Sequence, residues 1–81
     1  MNIDIFYEKI GKRIKYLREQ RHLTQDLLAE KAGISQDFLG KIEVCINRPG
    51  LKTIYKLSKA LDVEAYEIFK FDECNSDNNS N

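Results

Sequence analysis

The sequence predicts an all-α protein, five short helices packed as a compact bundle around one core. Three observations carry that prediction. Apolar residues recur at steps of three and four, and no stretch sustains alternation of apolar and polar residues. The only proline, Pro49, and two of the four glycines, Gly33 and Gly50, fall where the periodicity breaks. Eighty-one residues at 42% hydrophobic and 32% charged fit one domain with one modest core and point away from a multidomain enzyme with an enclosed active site.

Phe6, Ile10, Ile14 and Leu17 form one apolar stripe of a first helix from about Ile3 to Arg21. Lys9, Lys12, Arg13 and Lys15, balanced by Glu8 and Glu19, read as its solvated surface. Thr24 is placed to N-cap a second helix with Leu28, Ala29 and Ala32 inward, and Gly33 to leave it in the left-handed conformation. Ser35 caps a third helix through about Val44, with Phe38, Leu39 and Ile42 as its apolar set. Leu27 and Phe38 stand where a capping box needs Glu or Gln, so each cap acts singly. Beyond the loop Cys45–Gly50, Leu51, Ile54, Leu57, Ser58 and Leu61 mark a fourth helix, and Val63 to Phe69 a short fifth one ending near Phe71. The second and third helices are too short to persist alone and depend on packing against the first and fourth. Residues 72–81 (DECNSDNNSN) lack the apolar surface to offset ordering, which predicts a disordered tail after a domain spanning 1–71.

The chain is electrically neutral, with 13 basic and 13 acidic residues, and neutrality by itself argues against nucleic acid as a partner. The balance is uneven. Asp72, Glu73 and Asp77 lie in the tail, so all 13 basic residues and 10 acidic ones fall in 1–71, leaving that domain at +3. Two cysteines, Cys45 and Cys74, and one histidine, His22, cannot complete a four-ligand zinc site without carboxylates, so no metal or redox cofactor is expected; no second domain for an inducer is expected either, and with it no small-molecule ligand. No run approaches the ~20 apolar residues of a membrane span, and the N-terminus lacks a secretory pattern; a cytoplasmic protein is expected. Thr24 and Ser35 have no triad-like partners and are caps rather than nucleophiles.

The informative stretch is Gln25 to Ile42, two helices meeting across a tight turn. Ala29 supplies the small residue at the crossing, Gly33 the positive φ, and Ile34 the plug into the core. Leu39 and Ile42 commit one face of the second of these helices inward. Gln36, Asp37, Gly40 and Lys41 then face out along its N-terminal half, the part that a helix-turn-helix inserts into a major groove.

The segment LTQDLLAEKAGISQDFLGKIE resembles the phage-repressor and Cro type of helix-turn-helix, the Xre-like family. IGKRIKYLREQ before it and LKTIYKLSKALDV after it extend the resemblance over about residues 8–70. It implies a lambda-repressor-like bundle and a stand-alone regulator of double-stranded DNA, similar to small repressors and to restriction–modification controller proteins. It implies a structural ion pair between Arg18 and Glu43, linking the first and third helices. It implies a phosphate contact from Gln25, at the start of the second helix, and places Asn47 and Arg48, in the loop after the third helix, at phosphate or the minor groove, of which phosphate is the expectation. It places Ser35, Gln36, Asp37, Gly40 and Lys41 at bases or flanking phosphates. Gln36 suits adenine N6/N7, Lys41 guanine O6/N7 or a phosphate, and Asp37 cytosine N4; as an acidic residue in the first turn, Asp37 also serves the helix dipole. One departure from the family pattern is Cys45, where a glycine often ends the third helix.

One short recognition helix buries too little surface for specific affinity, so a homodimer on a near-palindromic operator is expected, with half-sites about 34 Å apart. Ile46, Tyr66, Ile68, Phe69 and Phe71 are the expected interface, because a core this small cannot hide them all, with closure of the bundle as the alternative place for Ile68 or Phe69. Control of the protein's own promoter would follow from mass action. The alternative is an antitoxin or adaptor whose main partner is a protein, in keeping with the neutral charge and the C-terminal aromatic residues.

Overall fold

The computed structural model describes residues 1–71. Helix α1 spans Ile3–Gln20, α2 Gln25–Ala32, α3 Gln36–Glu43 and α4 Leu51–Leu61, followed by a 3₁₀ segment, Ala65–Phe69. Among the described residues the architecture is all-helical, as the sequence predicts, with four α-helices and a 3₁₀ segment instead of five helices. The tail expected over 72–81 lies outside the described residues.

Local chemistry sets the helix starts. Asn2 Oδ1 accepts from the Ile5 amide at 2.9 Å, Thr24 Oγ1 from Leu27 at 3.0 Å and Ser35 Oγ from Phe38 at 3.0 Å, so each of the first three helices has one orphan N–H satisfied by a cap. The helix ends share one device. His22, Gly33, Cys45 and Asp62 take left-handed φ values of 56°, 73°, 64° and 60°. The residue after each, Leu23, Ile34, Ile46 and Val63, donates its amide five residues back, to Arg18, Ala29, Lys41 and Ser58 at 2.8–3.1 Å. These are Schellman closures, three of them built without glycine. Of the four, only Gly33 announced itself by residue type.

The predicted fifth helix is a 3₁₀ segment because the closure at Asp62 and Val63 uses up the start of that stretch. What remains is five residues long, with the Glu67 amide bonded three back to the Glu64 carbonyl at 2.9 Å. Its role is to seal the bundle. Ile68 is fully buried in the cluster formed with Ile10, Ile14, Leu17, Leu28, Leu39, Ile42, Ile54, Leu57 and Leu61. Of its two expected places, Ile68 takes the one that closes the bundle and leaves the expected dimer interface: a side chain with no exposed surface in the single chain has nothing to offer a partner. Phe69 and Phe71 pack on the Phe6 ring, at centroid separations of 6.3 and 6.0 Å, and remain partly exposed.

Arg13 is also corrected. Expected among the solvated residues of α1, it is 1% exposed. Its Nε donates to the Glu67 carbonyl at 2.7 Å, its Nη2 to Glu67 Oε1 at 3.2 Å, and its guanidinium lies 5.2 Å from the Tyr16 ring centroid. Arg13 therefore ties α1 to the 3₁₀ segment. A planar group with five donors can serve a carbonyl, a carboxylate and a ring together, which a lysine could not.

Candidate nucleic-acid interface

Helices α2 and α3 pack on each other across the turn at Gly33, and α1 and α4 support them from behind. A Cβ at Gly33 would meet nothing within 4 Å, so glycine is favoured there by φ and not by space. Leu39 and Ile42 are buried on the inner side of α3. Its outer side leaves Ser35, Gln36, Asp37 and Lys41 exposed, with Gly40 half-buried among them. Gln25, Gln36, Asp37, Gly40, Lys41 and Val44 line one shallow concavity. Val44 was not singled out from the sequence, where it read only as the end of the helix.

A buried ion pair holds α3 to α1. Arg18 Nε donates to Glu43 Oε2 at 2.7 Å and Nη2 to Oε1 at 3.0 Å, a bidentate pair. The third nitrogen, Nη1, donates to the Leu23 carbonyl at 2.8 Å in the α1–α2 corner. The Glu43 hydrogen bond and charge hold the Arg18 pKa above its ordinary value even though burial opposes this, so the guanidinium stays charged.

The same carboxylate reaches Gln25. Gln25 Nε2 donates to Glu43 Oε1 at 3.0 Å. A carboxylate only accepts, so it is the amide nitrogen that faces Glu43, and the amide oxygen lies 3.4 Å from where a Cβ on Gly40 would stand. Gln25 is thus fixed at the first turn of α2 with one amide hydrogen left over. The 3.4 Å spacing is ordinary contact, so packing within the chain does not demand glycine at position 40.

Two exposed ion pairs involve the expected contact residues. Lys41 Nζ lies 3.0 Å from Asp37 Oδ2, one turn away on α3. Arg48 donates to Asp4 in the first turn of α1, and its guanidinium lies 4.8 Å from the Tyr7 ring centroid. Asn47, half-buried, donates its backbone N–H to the Lys41 carbonyl at 3.1 Å, which holds the loop against the end of α3. The sequence pointed to Arg48 but missed its partners. Asp4 and Tyr7 lie more than forty positions away, where periodicity marks no contact. Among the described residues, no cluster of His, Cys, Asp or Glu has the makings of a metal site, and no helix is long and apolar enough to cross a membrane.

A family model described as helix-turn-helix matches residues 14–68. Similar proteins include the immunity repressor of Bacillus phage phi105, 41% identical over 59 residues that cover 73% of this chain and 41% of that protein. An HTH-type transcriptional regulator of Archaeoglobus fulgidus is 33% identical over 61 residues, covering 75% of this chain and 86% of its own. The chain spans less than half the length of the phage repressor and most of the archaeal relative. Among solved structures, the restriction-modification controller protein C.AhdI of Aeromonas hydrophila superposes with a TM-score of 0.76 at 35% identity, covering 78% of this chain and 96% of that one.

Proposed function

The chain belongs to the helix-turn-helix family of transcriptional regulators, and from that premise we propose a homodimeric regulator that reads a near-palindromic operator in double-stranded DNA and controls its own promoter. One observation carries the reading: the N-terminal half of α3 is open to solvent while its opposite edge is buried and its end is locked by Arg18 and Glu43. A helix held that firmly along one side presents the other as a rigid probe of groove dimensions. In this reading Ser35, Gln36, Asp37, Gly40 and Lys41 meet bases or adjacent phosphates. Gln25, Asn47 and Arg48 hold the backbone, which sets register without carrying sequence information. Residues 1–71 then form one DNA-binding domain whose C-terminal part also dimerises.

Ile46 and Tyr66, at 68% and 62% exposure, are the strongest candidates for the dimer contact, with Phe69 and Phe71 beside them. Leu51 and Tyr55, at successive turns of α4, join the candidates because both are exposed. The same exposed apolar residues support a second reading, an antitoxin or adaptor that docks a protein there. Selection of bound sequences from random duplexes, with sedimentation of the protein on and off the selected site, decides between them. An enriched inverted repeat with half-sites about 34 Å apart, bound by two chains, is expected. A monomer with no enriched sequence would favour the adaptor.

A further inference from the structure

We propose that Asp4 governs how much Arg48 contributes to sequence-independent attraction for the DNA backbone. The inference rests on the reading of Arg48 as a phosphate contact. The family match begins at residue 14, whereas α1 begins at Ile3, so Asp4 and Tyr7 stand on a stretch of α1 that precedes the match. That stretch reaches across to the loop after α3: Asp4 accepts from Arg48 Nη2, and Tyr7 lies under the guanidinium.

The arrangement separates position from charge. Tyr7 gives the guanidinium a flat apolar seat, while Asp4 supplies a counter-charge close to where a phosphate would have to sit. Side-chain exposures of 46% for Arg48 and 78% for Asp4 make this a water-screened pair that a phosphate can displace. Displacement has two costs. The existing pair is given up, and an uncompensated carboxylate is left near the DNA backbone. Arg48 also reaches the duplex already neutralised, so it displaces fewer counterions than a free arginine would. Removing the Asp4 charge leaves the Tyr7 seat in place and exposes the full charge of Arg48.

The test is a double-mutant cycle of Asp4→Asn and Arg48→Ala, read as affinity against salt on a mixed-sequence duplex about two helical turns long. Asp4→Asn should tighten binding about two- to fivefold and steepen the slope of log K against log salt by up to about one. In the Arg48→Ala background the gains should shrink to the smaller part supplied by relief of the carboxylate's own repulsion. Equal gains in the two backgrounds would mean a general charge effect and overturn the proposal, as would unchanged or weaker binding by Asp4→Asn. A wild-type protein with no salt-dependent binding to any duplex overturns the DNA reading itself, and the inference with it.

Discussion

The carbonyl oxygen of Ile42 lies against Gly11 with no room for a side chain between them. A Cβ on Gly11 would stand 2.4 Å from that oxygen and 3.2 Å from the carbonyl oxygen of Glu43. The last turn of α3 thus rests directly on the backbone of α1, which brings Glu43 to the depth at which Arg18 meets it. Gly11→Ala should lower stability by about 1–3 kcal/mol, because overpacking against backbone outweighs the ~1 kcal/mol gained from alanine's helix propensity. Denaturant unfolding measures it; a stability gain would show that the contact relaxes freely.

Glu43→Gln should be costly. Glu43 is 6% and Arg18 9% exposed, and removing one charge leaves the other buried and unpaired, a loss of about 3 kcal/mol or more. Replacing both by leucine should cost less than either single change. The pair's pH dependence has a defined sign. A raised Arg18 pKa means its contribution is present below the unfolded-state value and is lost only as pH rises through the folded one, in strong alkali. Unfolding midpoints compared between pH 6 and 9 should therefore show no loss traceable to Arg18.

Cys45→Gly should stabilise the protein by about 1 kcal/mol. Cys45 sits at φ 64° in a closure whose hydrogen bonds are all made, so glycine relieves the strain of a left-handed side chain at some cost in unfolded-state entropy. Asp62→Gly should gain less, since Asp tolerates that region better. Thermal midpoints of the two variants give the ordering, and a lower midpoint for Cys45→Gly would contradict it.

DNA readouts should separate base from backbone contacts. Gln36→Ala should relax preference at one base position by about 1–3 kcal/mol. Arg48→Ala should weaken all sequences alike and flatten the salt dependence. Competition between selected and scrambled duplexes distinguishes the two; identical profiles for both variants would refute these roles.

Much of the scaffold was legible along the chain because its causes are local. Steps of three and four placed α1 to α4, and Thr24, Ser35 and Gly33 marked the boundaries of the α2–α3 pair within a residue. The outward set on α3 followed from the commitment of Leu39 and Ile42 to the core. His22, Cys45 and Asp62 were harder, since a left-handed residue that is not glycine is recognised by its hydrogen bonds and not by its type.

By itself, then, the sequence determined the helical class, the elbow at Gly33 and the face of α3 that stays in water. Periodicity and capping act within one or two turns. Only the tertiary structure decided that Arg13 and Ile68 lie inside, that Gly11 must have no side chain, that Gln25 leans on Glu43, and that Arg48 is held by Asp4. Each of these depends on which surfaces meet between elements distant in the chain. A glycine or arginine on a helix looks the same in sequence whether it faces a backbone carbonyl or open solvent.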